Sequence, residues 1–214
     1  MSATTRAKLL DAALETLRAQ GIAGVSARTI AARAGVNQAL VFYHFGSVDQ
    51  LLAEACEHGS TERVAHYRAR FAAVGDLREL VGLARAIHDE EQESGNITVL
   101  AQLLAGAQND PQLAPATAAG LNLWIAELEQ TLARVLSQGP LADLVDVPGL
   151  ARAVAAAFVG LELYEGVDAE GAARALDSLD QLAVLVGVLD EMSPLVRRAV
   201  AGRLRKATTA RENP

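Results

Sequence analysis

The stretch Val25–Leu52, VSARTIAARAGVNQALVFYHFGSVDQLL, constrains this chain more than any other segment. It holds two very short amphipathic segments joined at Ala34-Gly35-Val36, then an aromatic cluster, Phe42-Tyr43-His44-Phe45. Local chemistry marks each boundary. Ser26 is an N-cap residue, able to accept from the backbone of the first turn, and Gly35 ends that helix after about two turns. Val25 before the cap and Ile30 after it form a hydrophobic staple. The pattern then repeats: Asn37 caps a third helix, Val36 and Val41 staple it, and Gly46 stops it. Ser47, with Gln50 three residues on, opens a fourth helix as a capping box. Upstream, Leu9, Leu10, Ala13, Leu14 and Leu17 draw an apolar stripe along Thr5–Gln20. Gly21 follows as a left-handed C′ residue, with Ile22 set to touch Leu17.

Two helices this short, joined by three residues, cannot lie as an extended antiparallel pair. They cross steeply, as a helix-turn-helix, and the first helix closes a small core of Leu10, Leu14, Leu17, Ile30, Val36, Val41 and Phe45. Gln38, Ala39, Tyr43 and His44 are then left facing outward on the third helix, with Asn37 at its leading end. Gln reads adenine bidentately, Ala approaches a thymine methyl, and Tyr and His donate to phosphates. The helix N-terminus offers N–H groups to a phosphate. Arg28 and Thr29, at the start of the second helix, suit the flanking backbone. Each aromatic also has a plainer reading: Phe42 as a packed ring, Tyr43 as a lid on the core, His44 as the partner of a local carbonyl.

Charge supports a nucleic-acid partner only through its distribution. The chain of 214 residues carries −7 overall, yet residues 1–48 hold five basic residues against two acidic ones, and the remainder holds 14 against 24. A basic head on an acidic body is expected of a DNA-reading module with a separate sensing or assembly body. Apolar residues make up 51% and aromatics 4%, so the core is built from Ala, Leu and Val. With Gly and Pro between the periodic segments and no hairpin pattern, the fold class is all-α. Two domains are expected: residues 1–46, the helix-turn-helix unit, and residues 47–214, a larger helical body. In the body, helices are predicted over Val48–Val74, Asp76–Ser94, Ile97–Asp110, Gln112–Gln138 (kinked or split at Pro115 and Gly120), Pro148–Tyr164 and Ala172–Met192, with a tail helix after Pro194.

A single cysteine, Cys56, excludes an internal disulfide and a Cys-based zinc site. Arg6, Lys8 and Asp11 interrupt any signal-peptide core, and the apolar runs Ala153–Leu161 and Leu182–Leu189 fall short of the ~20 residues of a membrane span. A cytoplasmic protein without a membrane partner is expected. No metal site or cofactor is expected either: His58 and His66 are too far apart for an i, i+4 chelate, and no G-x-S-x-G, Walker loop or dinucleotide fingerprint occurs. Catalysis has no visible machinery.

The residues in "GVSARTIAARAGVNQALVFYHFGSVDQLL" resemble the DNA-binding half of TetR-family transcriptional regulators, over about residues 5–55. The matching elements are Val25-Ser26, Ile30-Ala31 with Ala34-Gly35-Val36, Phe42-Tyr43-His44-Phe45, and Ser47 before Leu51-Leu52. The chain departs from the family in having Phe42 where Tyr is usual and Val48 where Lys is usual. Both changes remove phosphate contacts and leave the base-reading positions alone. The resemblance implies DNA contacts at Arg28, Thr29, Asn37, Gln38, Ala39, Phe42, Tyr43 and His44.

It also implies a dimer formed by the last two main helices, which fits their patterns. Ala153, Ala157, Gly160 and Tyr164 line one face of the first. Leu179, Leu182, Val186 and Leu189, with Ala175, form a coiled-coil-like seam on the second. A two-fold dimer asks for a palindromic double-stranded operator. Between head and interface, Tyr67, Phe71, His88, Leu100, Leu104, Trp124 and Leu128 are candidates to line the small-molecule pocket that the resemblance implies. The expected protein is a homodimeric regulator, a repressor released from its operator by an effector. The alternative is a helical protein-interaction module that has lost DNA binding. Effector, operator, target genes and sign of regulation are not written in the sequence.

Overall fold

A computed structural model of the chain describes residues 2–109, 111, 113–137, 145–191, 193, 199 and 202. Among these residues there is no strand, and the fold is all-α. The helices are α1 (Ser2–Gln20), α2 (Ala27–Ala34), α3 (Ala39–Phe45), α4 (Val48–Ala73), α5 (Leu77–Ser94), α6 (Asn96–Asn109), α7 (Ala114–Leu136), α8 (Val147–Glu165) and α9 (Ala169–Glu191), with a 3-10 turn at Ile22–Gly24. The tail helix predicted after Pro194 and the break at Gly139-Pro140 lie outside the described residues. The chain forms two compact units, one of residues 1–66 and 89–124, the other of residues 67–88 and 125–214.

In the first unit the helix ends follow the local chemistry closely. Ser26 Oγ accepts from the Thr29 backbone N–H at 3.1 Å, and Thr29 Oγ1 accepts from the Ser26 N–H at 2.9 Å, a reciprocal capping box. Gly35 takes the left-handed conformation (φ 66°, ψ 35°). Its N–H reaches Ala32 O while the Val36 N–H reaches Ala31 O at 3.0 Å, the bond pair of a Schellman ending. Asn37 Oδ1 accepts from the Ala39 N–H at 2.8 Å, and Ser47 Oγ from the Gln50 N–H at 3.1 Å. The predicted core forms: Leu10, Leu17, Ile30, Val41 and Phe45 are buried in one cluster, with Leu14 and Val36 half-buried against it. Leu51, Leu52, Val99, Leu103 and Leu113 complete that cluster, so α4, α6 and the start of the α7 segment hold the head together.

Two expectations are corrected. Gly21 has the positive φ predicted (70°) but a ψ of 174°, an extended mirror-image region open essentially to glycine alone, not the left-handed helical one. The chain there enters the 3-10 turn, and Ile22 is turned toward Gly106 of α6. Helix α7 is one continuous element, with no split at Pro115 or Gly120. Pro115 stands in the first turn, where the missing N–H has no helical partner to lose. Gly120 serves close approach: a Cβ there would lie 2.8 Å from Ser60 Oγ and 3.1 Å from Cys56 Sγ on α4. Cys56 is buried beneath it, and that burial pushes its thiol above the ordinary value.

The second unit is held by polar ties as well as apolar packing. Arg85 on α5 pairs with Asp177 at 2.8 Å and Asp180 at 2.6 Å on α9. Arg134 on α7 donates to the Phe71 and Val74 carbonyls that close α4. Asp168 Oδ1 accepts from the Gly171 N–H at 2.9 Å, capping α9, and its Oδ2 accepts from the Tyr164 hydroxyl at 2.8 Å. The Gly171 N–H first, and the Tyr164 hydroxyl second, hold the Asp168 carboxyl below the usual carboxylate range.

Candidate nucleic-acid interface

The outward face of α3 is built by subtraction. Val41 and Phe45 turn inward, and Phe42 and Tyr43 between them turn out. Gln38 and Ala39 are exposed, Tyr43 is 79% exposed and Phe42 is 49% exposed. Tyr43 is therefore no lid on the core, and the reading of Phe42 as a packed ring gives way to a half-exposed one. The His44 ring is half-buried and meets Tyr43 edge-on, 4.9 Å between centroids, which steadies both rings.

The structure separates the two predicted backbone-facing residues on α2. Arg28 is exposed. The Thr29 hydroxyl is engaged in the cap, with Ser26 and the Gly24 carbonyl around it. Asn37 is likewise tied to the Ala39 N–H, which takes that donor from the start of α3. The positive charge of the head is also partly committed. Arg6 pairs with Glu54 and stacks over the Phe45 ring at 5.0 Å, Arg33 faces Glu15 at 3.7 Å, and Arg18 donates to Asn96 at the start of α6. No Lys or Arg stands on α3 itself. The face offers hydrogen-bonding edges and aromatic surface, with cationic help from α2.

Neither of two surface concavities is lined by the candidate pocket residues. Tyr67, Phe71 and His88 are buried; Leu100, Leu104, Trp124 and Leu128 are half-buried. A polar concavity of about 350 Å³ is lined instead by Arg68, Ala72, Glu127, Gln130, Thr131 and Arg134. A mostly apolar one of about 210 Å³ lies over Ile22, Val25, Val48, Leu52, Gly106 and Leu113, with Asp49 as its charged member. Only the first reaches the 300–1,000 Å³ usual for small-molecule sites. His88 is not a lone polar handle: its ring lies between Glu162 and Glu165, a pairing 74 residues apart that sequence spacing could not announce.

On the predicted interface helices, Ala153, Ala157, Gly160 and Tyr164 of α8 are exposed, as are Leu179 and Leu182 of α9. The side chains of Val186 and Leu189 lie outside the described residues. The apolar surface is wider than the sequence pattern implied: Leu163, Val167, Val184, Leu185 and Val188 are exposed too, Leu185 at 63%. Helix Val147–Glu165 is long and apolar enough to cross a membrane by length and composition, although no single uninterrupted run in it is.

A capped pair of short helices, one buried edge and one polar outward edge, defines the class of helix-turn-helix modules that lay a short helix in the major groove. Residues 9–55 match the family profile described as bacterial regulatory proteins, tetR family, and the chain carries a helix-turn-helix domain of that family. It is 36% identical over 94 residues to the HTH-type transcriptional regulator BetI of Paraburkholderia phytofirmans, covering 43% of this chain and 48% of that one. The chain thus spans about half the length of the curated relatives it matches. The fold is shared with a TetR-family regulator from Rhodococcus sp. (TM-score 0.71, 22% identity, 86% of this chain and 98% of that one). It is shared also with the multidrug binding protein EbrR, whose structure is complexed with proflavin (TM-score 0.57, 26% identity, 82% of this chain and 99% of that one).

Proposed function

We propose that this chain is a homodimeric, cytoplasmic transcriptional repressor that reads a palindromic operator with α3 and is released by a small-molecule effector. The observation that carries the reading is the exposure of Gln38, Ala39 and Tyr43 beside a fully buried Val41 and Phe45: a rigid helix holding polar edges in solvent. In this reading residues 1–46 are the DNA-binding domain and residues 47–214 the effector and dimerisation domain. Gln38 and Ala39 meet base edges, while Tyr43, His44 and Arg28 meet phosphates. Thr29 and Asn37 act by fixing the helix starts. Phe42 adds apolar contact.

Dimerisation is supported by the uncovered apolar face of α8 and α9, which a second copy would bury as a four-helix interface. That occupant also accounts for an exposed helix of membrane-like composition. The effector is supported by the fold shared with EbrR, a protein seen with a bound organic dye. Operator release then requires the ligand to prefer one dimer geometry, by no more than its differential affinity for the two.

The test is retardation of genomic fragments selected by the purified protein. Gln38→Ala with Tyr43→Ala abolishes retardation and leaves the sedimenting species unchanged. Retained retardation in that double variant overturns the reading.

A further inference from the structure

We infer that His88, Glu162 and Glu165 form a binding site for a divalent transition-metal ion of the zinc class. His88 stands on α5, and the two carboxylates stand one turn apart on α8, so they share a helix face. The His88 and Glu162 side chains are 9% and 3% exposed, and Glu165 is 26% exposed. All three side chains bring a donor atom within 4.8 Å of the others.

The arrangement around the ring is directional. Glu162 Oε1 lies 2.5 Å from Nδ1, and Glu165 Oε2 lies 3.3 Å from Nε2 on the opposite edge. With Nδ1–H donated to Glu162, Nε2 either carries a proton that it donates to Glu165 or, as at most metal-binding histidines, presents its lone pair to an ion. In the second form the lone pair faces another acceptor, Glu165. Two acceptors that close need a positive centre between them, either a proton or a metal ion. For an ion with bonds of about 2.0–2.1 Å in tetrahedral geometry, neighbouring ligand atoms sit about 3.3 Å apart, which is the separation found. Nε2 of His88 and the carboxylate of Glu165 are the direct ligands, with water at the open positions. Glu162 is the positioning residue that orients the ring. An imidazole ligand favours zinc and its first-row neighbours over magnesium or calcium. The partial exposure of Glu165 gives the ion a way in. The site stands on its own geometry, whether or not α3 binds DNA.

The full-length protein, stripped with chelator and dialysed, is titrated with Zn²⁺ against a chromogenic chelator and with Co²⁺ by visible absorption. A single ion per chain with tetrahedral-intensity Co²⁺ bands is expected. Glu165→Gln and His88→Gln weaken binding by about 100-fold or more, and Glu162→Gln by about 10–100-fold. His58→Gln, at the exposed His58–Glu62 pair, leaves it unchanged. Circular dichroism checks each fold; if burial makes Glu162→Gln or His88→Gln misfold, the partly exposed Glu165→Gln decides alone. Absence of stoichiometric Zn²⁺ binding, or binding indifferent to Glu165→Gln, overturns the site and leaves a proton-bridged ion pair.

Discussion

The head around α3 and the helix pair α8–α9 solve opposite problems with the same kind of element. In the head, Val41 and Phe45 go inside while Gln38 and Tyr43 go out. On α8 the order is inverted: Glu162 is buried, while Leu163 and Tyr164 next to it are exposed. Helix α9 buries Leu176 and Ala183, pairs the solvent-facing Asp177 and the half-exposed Asp180 with Arg85, and still leaves Leu182 and Leu185 in solvent. The outward face of a helix states what it expects to meet. A hydrated groove is met by groups that keep their hydrogen bonds, and a protein copy by groups that gain from losing water. Here the two faces are written in different alphabets, which is why one chain carries both without confusing them.

Breaking that contrast from the apolar side should have the largest effect. Leu182→Glu with Leu185→Glu places charge where a dehydrated contact is proposed, a cost on the order of several kcal/mol to the association. Sedimentation velocity at micromolar concentration should show monomer with unchanged helicity. A dimer that survives would move the interface elsewhere.

Ser26→Ala acts on the polar side, removing the side-chain half of the cap on α2 while the backbone N–H of residue 26 keeps Thr29 Oγ1, and it touches no outward residue. A loss of about 1 kcal/mol in stability is expected from chemical denaturation. Thr29 keeps its bond to the Gly24 carbonyl, which limits the loss.

A smaller effect sharpens the electrostatics. Phe42→Tyr restores a hydroxyl on a half-exposed ring, and Val48→Lys adds a cation at the first residue of α4. Fluorescence anisotropy on a selected operator should show the salt slope steepen by about 0.9 for each added phosphate contact. Unchanged slopes would remove those two positions from the DNA surface.

The smallest effect is acid fraying of α9. The Asp168 carboxyl titrates below its unfolded value, so its contribution is present above the ordinary carboxylate range and is lost as pH falls through the lowered one. Asp168→Ala should flatten that part of the pH–stability curve. A curve with the same shape in the variant would assign the acid transition to other carboxylates.

What could be read without coordinates follows the range of the forces involved. Ser26, Gly35, Asn37, Gly46 and Ser47 act on backbone within a few residues, so their roles show in a linear string. The stripes of Leu10, Leu17 and Ile30 are equally local. Thr29 was legible only in part: its hydroxyl suits both a phosphate and a capping box, and its bonds to Ser26 and Gly24 come from the folded turn. Gly120 looked like a weak point of α7 because its reason, the nearness of Ser60 and Cys56, lies on another helix. Nothing local singles out Glu162 and Glu165 on α8, for the same cause: their partner is on α5. The one available hint was two acids a turn apart in a helix whose only other charge is Arg152.

Gly35 carries a last consequence. A Cβ added there would meet nothing within 4 Å, so the turn between α2 and α3 does not need a small residue. It needs a backbone of the opposite hand, which costs an L-residue about 1–2 kcal/mol and would cost a D-residue nothing. D-alanine installed by chemical ligation would therefore suit this corner better than its natural mirror twin. What this corner asks of residue 35 is handedness, and not room.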